Sequence, residues 1–475
     1  MDYKTPGVYI EEIQKFPPSI AQVETAIPVF IGYTQQARLD GRNVHMEPQR
    51  ISSHLEFQEI FGEPQREEQI VVTFDRQQVG TRVIKEVVTA DFDWTNGLTP
   101  SRHIMYYALQ AYFANGGGPC WVISVAPYLD YRAPIPANLL TQGLEFAGRL
   151  DEPTLIVFPE GQGMDVDEYH SLLQAAVSQA VRLGDRFVIM DLHQTGRGFT
   201  RTQQIMDASS EFRQGIGNLT VEQAKYAAAY FPNIESTADY AFNENSIIVR
   251  KVVNNTAQGD SAYSDLDNLE KAQAQLAVRK LGISLPPSAA IAGVYARVDS
   301  ARGVWKAPAN EGLFSVSNVH VNVDDEQQKD LNVDTGGGFS VNAIRKFTGR
   351  GIRVWGARTL AGNDNEWRYV PVRRFFNMVE ESVKKSTYQF VFEPNDANTW
   401  VRIKGMIENF LVLQWRAGAL QGSTPEKAFY VKVGLGETMT ALDILEGRLI
   451  VEIGMAVVRP AEFIILRFMH KLPEA

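Results

Sequence analysis

The stretch that decides the reading is Leu285–Leu313, LPPSAAIAGVYARVDSARGVWKAPANEGL. It places small residues, two adjacent prolines, an Arg-Gly-Val-Trp turn and a Pro-Ala-Asn in one non-repetitive run. No 3.6-residue apolar period and no apolar/polar alternation passes through it. It is therefore expected to be ordered, irregular backbone held by specific contacts.

On its N-terminal side lies a predicted helix from Asp265 to Leu281, rich in Ala, Leu, Lys and Gln. Further upstream, TLIVFPE, DVDEYHSLLQAAVSQAVRL and RFVIMDL alternate strand, amphipathic helix and strand. That order implies a parallel α/β unit with a right-handed crossover. KYAAAYFPNI and SIIVRKV are expected to continue the same domain. IPVFIGYT (27–34) and CWVISV (120–125) read as buried strands. The helix in SSHLEFQEIFG is expected to be capped by Ser52 or Ser53 and stopped by Gly62. The helix over residues 103–114 should end at Asn115 and the glycines after it. QIVVTF and TRVIKEVVTADF give a hairpin within a β-rich surface insertion over residues 63–100.

Downstream, a second compact region begins near Val341. NAIRKFTGRGIRVWGARTL suggests a helix, a glycine turn and a strand, and RYVPVRRFFNMVEESVKKST a strand leading into a helix. FEPNDANTWVRIKGMIENFLVLQWRAGAL reads as a helix capped by Asp396 or Asn398, with Trp400, Ile403, Ile407, Phe410 and Leu411 as its apolar stripe. RLIVEIGMAVV and AEFIILRFMHK read as two closing strands. The last is apolar on both faces, an aggregation hazard unless it has an assigned partner. The first twenty residues, with Pro6, Gly7, Pro17 and Pro18 around Val8, Tyr9 and Ile10, are extended and too short to hold themselves in place.

The totals narrow the function. A chain of 475 residues exceeds one ordinary core, and 44% apolar content suits a globular protein. A formal net charge of -10 argues against a nucleic-acid binder. Cys120 is the sole cysteine, so neither a disulfide framework nor a cysteine zinc site is available. The start lacks the basic and apolar regions of a signal peptide, and no apolar run reaches spanning length, so a product of the cytoplasm without membrane insertion is expected. Gly116–Gly118 and Gly336–Gly338 lack the Lys-Ser/Thr of a phosphate loop and are expected to be turn glycines. The seven histidines are scattered, with none paired at metal-ligand spacing, and no cofactor is expected. Asp191 and His193 after a strand leave open an α/β hydrolase-like reading, although no serine in a nucleophile context completes it.

The opening stretch resembles a signature of the contractile tail sheath family, found in myophage tails and phage-tail-like injection systems. The likeness extends through YKTPGVYIEEI, ISSHLEFQEIFG, AYFANGGGPCWVISV, YAAAYFPNI, WGARTL, RYVPVRRFF, FEPNDANTW, GALQG and RPAEFIILRF, in the family's order. It covers residues 1–62 and 101–475. The resemblance implies a non-enzymatic subunit, stacked as six-membered rings around an inner tube protein and joined to baseplate and terminal cap proteins, with sister sheath isoforms in some systems. The particle would be released from the cell or anchored at a membrane.

The expected fold is multidomain α/β and α+β. Residues 1–22 form an N-terminal arm, 23–62 with 101–126 an N-terminal sheath region, 127–340 an outer α/β domain, 341–458 an inner core and 459–475 a C-terminal arm strand. Arm strands exchanged between subunits would involve Val8, Tyr9, Ile10, Phe463, Ile464, Ile465, Leu466, Arg467 and Phe468. Similar sheaths grip the tube by charge through a C-terminal-domain helix, for which Arg402, Lys404, Glu408 and Arg416 are the candidates here. The segment from Glu437 to Arg448, with Asp443 and Glu446, competes with them. A static shell or baseplate protein with the same arms is the remaining structural alternative.

Overall fold

The computed structural model describes residues 19–68, 70–94, 99–130, 133–194, 202–334 and 336–465. They fall into two units: residues 24–377 with 459–465, and residues 19–23 with 378–458.

The larger unit is built on a nine-stranded sheet. Its order is Glu311–Gly312, Gly351–Val354, Val341–Phe347, Ala227–Phe231, Phe187–Asp191, Leu155–Val157, Pro28–Thr34, Cys120–Pro127 and Gln49–Ile51. The six strands from Val341–Phe347 to Cys120–Pro127 run parallel. PVFIGYT is buried throughout because both faces of its strand are covered. Phe30 packs on one face, and Val29, Ile31 and Tyr33 pack on the other. Helices Met105–Ala114 and Ser288–Arg302 cover the first face, and Ala137–Ala147 and Val166–Leu183 cover the second. This is the doubly wound layering expected from strand–helix–strand alternation. The sheet draws strands from both sides of the 126/127 and 340/341 boundaries expected from sequence.

Three local expectations are corrected. The signature stretch is largely an α-helix, Ser288–Arg302, followed by irregular backbone. Residues 288–295 and Val298 are all buried, so the first two turns have no polar face, while the last turn, Ser300 to Arg302, is exposed; no amphipathic period runs through the helix. Small residues allow this packing. A Cβ on Gly293 would overlap the Tyr112 carbonyl of the neighbouring helix. Asn115, also buried, ties the end of that neighbour to the loop after Ser288–Arg302. Its amide exchanges hydrogen bonds with Phe314 N (2.8 Å) and O (3.1 Å).

Second, Val341–Phe347 is a strand in a hairpin with Gly351–Val354, where a helix was expected. Its first four residues are buried beside Ala227–Phe231, and a short apolar run buried on both faces carries no diagnostic period. RYV is likewise not a strand. Tyr369 makes one bridge to Arg358, and the helix Val370–Thr387 begins at once, with Pro371 in its first turn.

Third, SIIVRKV leaves the large sheet. Ile248–Val253 runs parallel to Ile70–Val79, and the hairpin Ile70–Val79/Arg82–Phe92 is completed to a four-stranded sheet by Ile248–Val253 and Thr256–Ala262. Glu270 of the helix Asn268–Arg279 is bound by Arg76 (2.8 Å) and Lys251 (2.9 Å) of this sheet.

In the smaller unit the helix Ala397–Arg416 starts at Asp396, whose carboxylate accepts from Thr399 N at 3.0 Å. Ile403, Ile407, Phe410 and Leu411 are buried, as the stripe predicts, and Met406 joins them, whereas Trp400 is only half-buried. The strand Phe429–Lys432 packs on this helix and pairs with Glu452–Met455.

At the centre of the larger unit, the Asp191 carboxylate accepts from Ser288 N at 2.8 Å and so caps the signature helix from the end of a sheet strand. Burial pushes its carboxyl up to about 7, against the opposing hydrogen bonds from Ser288. Between about pH 4 and 7 the unfolded chain loses this proton while the folded chain keeps it. The contribution is therefore complete below pH 4 and is lost as pH rises through 7. D191N keeps the acceptor oxygen without the charge. Its stability advantage over wild type should grow from near zero at pH 4 to about 1–3 kcal/mol at pH 8, read from melts across that range. A second expectation concerns the close helix contact: Gly293→Ala should cost about 1–3 kcal/mol, measured by denaturant unfolding.

Candidate assembly interface

The strongest unsatisfied feature is the sheet of Phe429–Lys432 and Glu452–Met455, two strands of four residues each with no third strand among the described residues. Beyond it, Val458 N donates to Ala419 O (3.0 Å) and Gln421 N to Ala456 O (2.7 Å). A ribbon this small is marginal alone, and its outer N–H and C=O groups form a template for added strands. Exposed apolar side chains gather in the same unit. Phe392 is wholly exposed, Leu445 is 83% exposed, and Tyr388 and Val401 are each 71% exposed. Phe392 also holds φ +69°, a left-handed conformation costly for an aromatic residue. Exposed apolar surface of this kind marks a surface covered in an assembly.

Among the arm candidates, Phe463, Ile464 and Ile465 are 71%, 80% and 78% exposed, and none lies in a strand. Val8, Tyr9, Ile10, Leu466, Arg467 and Phe468 lie outside the described residues. Just before the exposed triplet, Glu462 is held firmly. Arg358 meets both its oxygens (2.7 Å from Nη2 to Oε2), Asn332 Nδ2 donates to Oε1 (2.9 Å), and the Tyr369 hydroxyl donates to Oε2 (3.1 Å). Near the other end, Thr25 is fixed by a buried pair. Its hydroxyl donates to Asp299 (2.6 Å), and Arg374, itself 2.5 Å from Asp299, donates to the Thr25 carbonyl (2.8 Å). These anchors escaped the sequence reading. The available signal was an arginine in each of WGARTL and RYVPVRRFF with no visible partner nearby.

The candidate charges on Ala397–Arg416 do reach solvent. Arg402 and Arg416 are exposed, and Lys404 and Glu408 are half-buried. Arg402 lies 3.8 Å from Glu393 and stacks over Phe390. In the competing segment, Arg448 binds Asp443 (2.8 Å) and Glu446 (2.5 Å). Asn395 donates to the Arg448 carbonyl (3.0 Å) and accepts from the Trp400 indole (2.7 Å). The start of the helix and the Glu437 to Arg448 segment are therefore neighbours on one surface.

The remaining constellations are structural. Asp191 caps a helix, while His193 directs Nε2 to the Met164 carbonyl at 3.2 Å. His103 is a buried staple. Its Nε2 accepts from Leu129 N, so Nδ1 faces Glu160 (3.4 Å) as the donor, and the pair is 2% and 0% exposed. The second glycine run cradles an anion the chain itself supplies. Gly336 and Gly337 donate to the carboxylate of Asp334, which lies 3.7 Å from Arg213. Burial opposes ionisation of Asp334, but these amides and Arg213 outweigh it and hold the carboxyl below its usual range. Cys120 is buried, and burial pushes its thiol up. No group of acidic, histidine or cysteine side chains fit for a metal ion occurs among the described residues, and no described helix is long and apolar enough to cross a membrane.

Comparison with known proteins gives these surfaces a context. Residues 208–360 match the phage tail sheath protein central domain, and residues 362–470 match the phage tail sheath C-terminal domain. The tail sheath protein of Burkholderia phage BcepMu is 32% identical over 116 residues, and that of Enterobacteria phage T4 is 28% identical over 118. The matched stretches span 24% and 17% of those proteins' own lengths. Solved structures match end to end. The contracted helical sheath of the anti-feeding prophage is 31% identical, with a TM-score of 0.63 over 99% of this chain and 100% of that one. The contracted sheath complex of the extracellular contractile injection system PVC is 29% identical, with a TM-score of 0.64 over 99% of both chains. With two domain matches in sequence order and a relative above 30% identity matched over its whole length, this chain belongs to the contractile tail sheath family.

Proposed function

We propose that this sheath subunit polymerises around an inner tube as stacked six-membered rings and contracts to drive that tube through a target envelope. The observation that carries the reading is the open two-stranded sheet in a chain whose C-terminal segment leaves its anchor with three apolar side chains in solvent. Strand addition satisfies both. An arriving segment contributes main-chain hydrogen bonds to the sheet edge, and alternate side chains settle on either face. If the two terminal segments of one subunit add to the sheets of different neighbours, every copy is stitched into a continuous net. Head-to-tail contacts that do not close into a ring generate open helical tubes.

Contraction then repacks the weaker surfaces while the stitched strands hold. Subunits move as near-rigid bodies between two lattices, the extended one kept behind a kinetic barrier. The free energy is stored during assembly, so no nucleotide is consumed. The charges of Arg402 and Arg416, which are exposed, and of the half-buried Lys404 and Glu408 would face the tube. Each such pair is weak and screened by salt, which suits a grip that must release. Assembly would take place in the bacterial cytoplasm, with baseplate and cap proteins closing the ends, in a phage-tail-like particle that is released or membrane-anchored.

Deleting residues 1–20 or 460–475 is expected to leave a folded monomer that no longer forms tubes. Long tubes from either truncated protein in the electron microscope would contradict the proposal. Reversing charge with R402E and R416E is expected to weaken co-sedimentation with the tube at low salt while sheath polymers still form. Two tube lengths and diameters under negative stain separate a contractile sheath from a static shell.

A further inference from the structure

From the two buried-arginine anchors we infer that Glu462 and Thr25 are positioning residues that root the terminal arms, so that each arm leaves the subunit in a fixed direction. The inference rests on the sheath reading above and adds the device that makes strand exchange efficient. Glu462 receives donors from three side chains at once: the Arg358 guanidinium on both oxygens, the Asn332 amide and the Tyr369 hydroxyl. Arg358 is 5% exposed and also donates to the carbonyls of Asn332 (3.2 Å) and Gly362 (3.4 Å), so it cannot follow a moving partner. The chain is thus immobilised at residue 462, and the next three side chains are open to solvent. A fully bonded carboxylate followed by three uncovered apolar side chains is a root with an uncovered segment beyond it.

The N-terminal anchor also rests on a buried pair, but there the chain stays held before it, with Ile20 buried and Val23 N donating to Ser382 Oγ at 3.1 Å. Asp299 and Arg374 are 6% and 3% exposed, and together they bind the hydroxyl and the carbonyl of Thr25. Asp299 lies in the helix of the signature stretch, while Arg358, Tyr369 and Arg374 lie in the WGARTL and RYVPVRRFF segments. The motifs that most strongly mark the chain therefore supply both roots. A rooted arm meets the neighbouring sheet with less conformational freedom to lose than a loose one, which strengthens association without any new contact.

The test uses full-length protein carrying Ile464→Cys with a nitroxide label, which is selective because the native Cys120 is buried. Against that background E462Q is expected to increase label mobility in the monomer and to raise the critical concentration for tube formation about tenfold, with cooperative melting retained. Y369F removes one donor and leaves the ion pair, so it is expected to shift both readouts the same way by less. Thr25→Val should raise the critical concentration without altering label mobility at residue 464. Unchanged mobility and unchanged critical concentration in E462Q would overturn the inference. Should E462Q fail to fold, the same null result in a Y369F, N332A double variant would do so. If deletion of 460–475 abolishes tubes while E462Q assembles normally, the rooting inference falls and the sheath reading stands. If the deletion itself assembles, the sheath reading falls.

Discussion

An unpaired strand edge is the constraint on which this subunit turns. Backbone N–H and C=O groups must find partners when they leave water, and two four-residue strands offer each other only half of what they need. Phe463, Ile464 and Ile465 have the complementary problem, because these side chains have no cover in the chain taken alone. On the proposed reading one act, addition of the segment to the edge in another copy, would resolve both.

The larger unit is suited to be carried through such a lattice without deforming. Its sheet is covered on both faces, and the helix Ser288–Arg302 is tied at one end to Asp191 of the sheet and along its length to the helix Met105–Ala114. Interiors packed this way move as blocks, because intermediate arrangements leave voids or clashes. Several polar groups inside are paired with one another. His103 serves Glu160, and the Gly336–Gly337 amides serve Asp334.

Much of this was legible in the sequence where a pattern has a single physical cause. IPVFIGYT and CWVISV could only be strands buried on both sides, and Ser53, Gly62 and Asp396 mark helix ends by their hydrogen-bonding chemistry. The failures share a cause as well. Periodicity reports the contrast between a wet face and a dry one, so it is silent over the buried first two turns of the helix Ser288–Arg302 and the buried start of the strand Val341–Phe347. Ile248–Val253 found its partner 177 residues upstream, Val71 against Ile248, a pairing that local pattern does not encode. The arm anchors were invisible for the same reason: Arg358 and Glu462 are 104 residues apart, and neither sits in a charge pattern that names the other.

The most direct measurement is a helical reconstruction of the assembled tube at a resolution that traces the main chain. The account predicts that the sheet of Phe429–Lys432 and Glu452–Met455 is extended by strands from the terminal segments of adjoining subunits, in both the long and the short form of the tube. Finding both segments folded back onto their own subunit, with that sheet still two-stranded, would contradict it.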